Sequence, residues 1–105
     1  MSKASSVDLL TNRKTTGAGD THRPYPSLKS FQAVGKTTAG SGSCVVNIQV
    51  SNDGVNWLSA GTITLTLSTT NSTDGFITYM SWPFVRANVT SISGTNAAVT
   101  VSMGA

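Results

Sequence analysis

Residues 44–50 alternate, Val45 excepted. Cys44, Val46, Ile48 and Val50 are apolar, and most of the intervening positions, Asn47, Gln49 and Ser51, are polar. A period of two sends successive side chains to opposite faces of a strand, so this segment predicts a strand buried on one face only. The same pattern returns in Ile63, Leu65 and Leu67 between Thr62, Thr64, Thr66 and Ser68, and again in Ala97, Val99, Val101 and Met103. Between these lie shorter candidates: Ser30 to Val34, Val55 to Leu58 with Trp57 as an anchor, Phe76 to Ser81, and Phe84 to Ile92. The separators carry turn chemistry. Asn52-Asp53-Gly54 is a tight-turn signal, Lys36 to Ser43 reads as a Gly/Thr/Ser loop, and Thr69 to Asp74 is a polar loop closing on Gly75. Trp82-Pro83 interrupts pairing because proline has no N–H to donate, and Ser93-Gly94-Thr95-Asn96 is a turn.

About seven short strands with regular turns, and no 3.6-residue apolar repeat, predict an all-β protein. The expected fold is an antiparallel β-sandwich, jelly-roll or immunoglobulin-like, over residues 29–105. Its expected core is Cys44, Val46, Ile48, Val50, Ile63, Leu65, Leu67, Val99 and Val101. Residues 1–28 break the pattern. They hold Gly17, Gly19, Pro24 and Pro26, with Val7, Leu9 and Leu10 as the one aliphatic cluster, and read as an extended N-terminal arm.

Composition sharpens this division. The chain of 105 residues is only 10% charged, contains no Glu, and has 16 Thr and 15 Ser. Hydroxyl-rich sequences of this kind favour strands over helices. The net charge of +3 is concentrated at one end. Lys3, Arg13, Lys14, Arg23, Lys29 and Lys36 against Asp8 and Asp20 make residues 1–36 +4, while Arg86 against Asp53 and Asp74 leaves the remainder at −1. A basic arm on a near-neutral body suggests an acidic partner. Basic residues spaced by Thr and Gly form a weak footprint for nucleic acid, which is not expected as a partner.

The lone Cys44 excludes an internal disulfide and reads as a small core residue. No apolar run suits a signal peptide or a membrane span, so synthesis in a reducing cytoplasm is expected. Asn71-Ser72-Thr73 and Asn88-Val89-Thr90 match the glycosylation pattern, as chance allows in a chain so rich in Ser and Thr.

Catalytic chemistry has little to work with. The single histidine, His22, lies in the arm, and the four aspartates are scattered, with Asp53 and Asp74 each preceding a turn glycine. No zinc spacing or calcium cage is outlined, and no catalytic residue, cofactor or metal is expected. Arg86, the one basic residue of the β body, should face solvent with its stem packed on neighbours; an ion pair with Asp53 or Asp74 is the alternative. Trp57, Trp82, Tyr79 and Phe76 read as core, the alternative being a sugar-binding face with Asn56.

The stretch Ile48-Gln49-Val50-Ser51-Asn52-Asp53-Gly54-Val55-Asn56-Trp57 resembles two groups. Discoidin-like and carbohydrate-binding β-sandwich modules end a strand in a Ser-Asx-Asp-Gly-x-x-Trp turn. Small structural proteins of tailed-bacteriophage virions carry the same hairpin, then a Thr-rich strand and a segment similar to Trp82-Pro83-Phe84-Val85-Arg86-Ala87-Asn88-Val89-Thr90. The phage resemblance spans about residues 30–105. It implies a non-enzymatic virion component, most simply a capsid decoration protein that binds the major capsid protein as a homo-oligomer, a trimer being favoured. Neck or tail proteins are the alternative within that group. On this reading the arm contacts the partner through Lys3, Val7, Leu9, Leu10, Arg13, Lys14, Arg23 and Tyr25, the aliphatic residues as anchors and the basic ones against acidic patches.

Overall fold

The computed structural model describes residues 6–104. It is all-β, with eight strands: β1 (Ser6–Arg13), β2 (Gly17–Ala18), β3 (Ser27–Lys36), β4 (Ala39–Ser51), β5 (Leu58–Leu67), β6 (Ser72–Met80), β7 (Phe84–Thr95) and β8 (Ala98–Gly104). They form two antiparallel sheets of four, ordered β1-β8-β3-β6 and β2-β7-β4-β5. The Cα envelope of 40 × 37 × 17 Å is that of two stacked sheets.

Only β4 and β5 are consecutive in sequence and adjacent in a sheet. Every other connection leaves one sheet for the other. This order is that of a jelly roll, and it separates the chain from the immunoglobulin-like alternative, whose sheets contain several sequential hairpins. The core residues expected from alternation are all buried, and Leu9, Leu10, Phe31, Met80, Val85, Ala87, Val89 and Met103 join them.

Several boundaries differ from expectation: β4 begins at Ala39, inside the expected 36–43 loop, β6 begins at Ser72, inside the expected 69–74 loop, and β7 runs on to Thr95, into the expected turn. Residues 55–57 are not a strand: the chain turns through Ser51–Asn56 and pairing resumes at Leu58. The larger correction concerns the arm. Residues 6–18 supply β1 and β2, an edge strand of each sheet, so the sandwich begins at Ser6 and not at residue 29. The polar segment beyond β2 stays tied to β7: Gly19 N donates to Ala87 O at 2.8 Å, and His22 and Val85 exchange backbone bonds at 2.8 and 2.9 Å. The arm is therefore held by β7 and β8 of its own chain.

The sheets are locked together at the β5/β6 side. Phe76, on edge strand β6, packs 5.3 Å from Phe31, centroid to centroid. Its ring fills the space above Gly61 of β5, where the ladder slips so that Ile48 faces Gly61 but Gln49 faces Ser59. Glycine at 61 is thus a packing requirement, since any side chain there would stand where the phenyl ring is.

Candidate functional site

The arm residues divide by position. Pairing of β1 with β8 is irregular between Asp8 and Leu10 and again between Leu10 and Arg13. An irregularity of this kind lets two successive side chains point the same way. Leu9 and Leu10, 3% and 5% exposed, both enter the protein's own core, so neither is available to anchor on a partner. Arg13 is half-buried and directs Nε to Thr15 O and Nη2 to Ala18 O, both at 3.4 Å, closing the turn from β1 to β2. Lys14 is exposed on that turn. Lys3 lies outside the described residues.

Val7, Arg23 and Tyr25 come together. They line a cleft of about 220 Å³ with Ser6, Pro24, Lys29, Met103 and Gly104. Register explains the meeting: Val7 faces Met103 across β1 and β8, Met103 faces Phe31 across β8 and β3, and Lys29 lies two residues before Phe31 on the same face. The chain from His22 to Pro26 then crosses this end of the sandwich. Arg23 holds its guanidinium 5.0 Å from the ring centre of Phe84, within cation–π range, and Tyr25 is 87% exposed at the rim.

Lys29 is the residue that sequence reasoning missed. It sits at an inward position of β3, in alternation with Phe31, Ala33 and Gly35, and is only 6% exposed. That alternation was the available signal: a lysine in register with a core stripe must bury its stem and lead its ammonium to an opening. The opening here is the cleft.

A second cluster surrounds the Ser51–Asn56 turn. Ser51 Oγ accepts from Asp53 N and Gly54 N at 3.1 and 2.9 Å and donates to Asp53 Oδ1 at 2.8 Å. Asp53 Oδ1 also accepts from Val55 N and Asn56 N at 2.8 Å each, and Oδ2 accepts from Asn56 Nδ2 at 2.9 Å. Backbone and side-chain donation from Asn56, with that from Val55 and Ser51, holds this carboxyl well below the usual carboxylate range. Gly54 takes φ 73°, the left-handed geometry that the Asp-Gly pair anticipates.

Beside this turn, Arg86 lies 4.1 Å from the ring centre of Trp57 and donates from Nε to Gln49 Oε1 at 2.8 Å. The ion pair with Asp53 or Asp74 weighed for Arg86 is replaced by this stack. Trp57 and Trp82 line a cleft of about 300 Å³ with Ser51, Asn52, Asp53, Asn56 and Leu58. The expectation of core aromatics holds for Phe76 and Trp82, which pack against the core, whereas Tyr79 is exposed. Burial raises the Cys44 thiol to about 11, keeping it protonated at neutral pH.

No known protein family matches the sequence, and no curated protein does. Among solved structures, the fold is similar to that described as the crystal structure of PBSX exported protein XepA, with a TM-score of 0.61 at 7% identity. The likeness covers 95% of this chain and 36% of that one, so this chain spans about a third of the length of its structural neighbour. What the two share is the fold.

Proposed function

We propose that this chain is a non-enzymatic structural protein of a tailed-phage virion, acting as a capsid decoration protein on the major capsid protein. The reading is supported by the likeness in fold of 95% of the chain to a part of PBSX exported protein XepA. The sequence features of virion proteins at Ser51–Trp57 and Trp82–Thr90 point the same way. So does a surface of hydroxyls and amides, which suits a protein held by many shallow contacts.

Self-association is part of the proposal, with a second copy as the occupant of the β6 edge. Between Gly75 and Met80 this edge strand carries no charge, and Leu28, Ile77 and Tyr79 stand exposed beside one another, Leu28 facing Tyr79 and Ser30 facing Ile77 in the ladder. An unpaired, uncharged edge with apolar neighbours is suited to strand pairing between copies.

The test is location. Antibody against the chain, applied to particles purified from a phage lysate and viewed by electron microscopy, should label the head. Particles that lack the chain, or labelling confined to the tail, would overturn the decoration role. Analytical ultracentrifugation should give a trimer, reduced to monomer by Ile77→Lys.

A second reading, saccharide binding, is favoured by one observation: Trp57 and Trp82 share their cleft with Asn52, Asp53 and Asn56, apolar rings beside planar polar groups. A glycan array that shows binding lost on Trp57→Ala would support it over the virion role.

A further inference from the structure

The cleft lined by Lys29, Arg23 and Tyr25 has a charge imbalance. It is lined by Lys29 and Arg23, and no acidic side chain lines it among the described residues. The four aspartates are engaged elsewhere. Asp53 accepts hydrogen bonds within its own turn, Asp74 accepts one from Gly75 N in β6, and Asp8 and Asp20 line a separate cleft beside Arg13. Lys29 is itself more than nine-tenths buried, so its ammonium depends on this cleft to meet solvent or an opposite charge. Sinking a lysine into a core-facing position is unfavourable unless the charge is met by an opposite one or reaches water. Here it is led into an opening whose other walls, Val7, Pro24 and Met103, are apolar.

We propose that this cleft receives the carboxylate side chain, Glu or Asp, of an acidic segment of the partner protein. The guanidinium of Arg23, already oriented by the Phe84 ring, offers a planar pair of donors, and the Lys29 ammonium meets the carboxylate from the floor. Val7, Pro24 and Met103 pack against the methylenes of the incoming side chain. That apolar lining favours a carboxylate on an aliphatic stem over a free oxyanion such as phosphate. Tyr25 at the rim covers the contact and excludes water from it. The identity of the partner as a protein rests on the virion reading, but the chemistry of the cleft can be measured without any particle.

The experiment is an NMR titration of the intact chain at low ionic strength with a capped Gly-Glu-Gly peptide, its Gly-Gln-Gly counterpart, and inorganic phosphate. Saturable shifts should centre on the amides of Val7, Arg23, Tyr25, Lys29 and Met103 with the Glu peptide and be absent with the Gln peptide. Lys29→Met preserves length and suits the apolar walls; it should weaken Glu-peptide binding by about tenfold or more, as loss of a buried charged partner does. Arg23→Gln, at an exposed position, gives an independent check, and Lys14→Met, outside the cleft, should bind as the parent does. Equal shifts with the Glu and Gln peptides, unchanged binding by both cleft variants, or saturation by phosphate but not by the Glu peptide would each overturn the proposal. A cleft that binds carboxylate in a protein absent from particles would instead remove the virion role and leave this inference standing.

Discussion

The Cα of Gly61 lies directly beneath the ring of Phe76: a Cβ placed on it would stand 2.5 Å from Cζ. Two edge strands of different sheets are joined by this contact, so its loss should be felt as separation of the layers. Gly61→Ala is expected to destabilise the fold by about 1–3 kcal/mol, the usual effect of overpacking. Chemical denaturation measures this, and Phe76→Leu introduced alongside should recover part of the loss. If Gly61→Ala left stability unchanged, the ring would have to be free to leave its place.

Arg86 on Trp57 gives a second measurable pair. Removing the guanidinium by Arg86→Met should lower stability by about 0.5–2 kcal/mol, the range for a partly desolvated cation–π contact. Trp57 emission should change with it. Arg86→Lys keeps the charge but forfeits the planar stack and the directed bond to Gln49, and should fall between the two.

Leu10 distinguishes a strand from a tether. As a core residue of β1, Leu10→Ala should cost about 2–5 kcal/mol, as should Leu65→Ala in β5. Lys14→Ala, one turn away on the surface, should stay within about half a kcal/mol of the parent. Deleting residues 2–28 removes β1 and β2 and bares the sides of β7 and β8, so circular dichroism should show a chain that no longer folds cooperatively. A truncated chain that melted like the parent would mean that β1 and β2 contribute little.

Asp53 makes the Ser51–Asn56 turn sensitive to acid. Its folded carboxyl titrates below the unfolded value, so the stabilisation is fully present above the ordinary carboxylate range near about 4 and is lost as pH falls towards the folded value. Amide exchange at Val55 and Asn56 should accelerate below about pH 4 in the parent. In Asp53→Asn it should be faster at neutral pH and nearly independent of pH across the same window once intrinsic exchange is divided out.

Strands 44–50, 62–68 and 97–103 were legible because each meets the core with one face, and a period of two then follows from geometry. β1 was not, because its irregular pairing turns Leu9 and Leu10 inward together and erases the alternation. β2 is two residues long and carries no pattern at all. Val55 to Leu58 looked like a strand because apolar and polar residues alternate there too, but the bonds gathered by Asp53 hold the chain in a turn. Of the cleft, Val7, Arg23 and Tyr25 were visible through charge and apolar character, and which of the arm residues converge depends on pairings between β1, β8 and β3 that only the fold supplies. Lys29 entered only the net charge of residues 1–36, although its register with Phe31 and Ala33 already marked it as inward.

The strand order has a consequence for how the chain is made. β4 and β5 can pair as soon as both have left the ribosome, since they are neighbours in sequence. β1 pairs with β8, far along the chain, Ser6 meeting Gly104. Until Ala98–Gly104 emerges, Leu9 and Leu10 have no strand to hold them, and the nascent chain exposes an aliphatic pair. Folding dominated by such distant pairings is slow, on the order of milliseconds to seconds. The closing event therefore waits on β8, and a ribosome stalled a few residues short of Ala98 should carry a chain that chaperones bind and proteases cut.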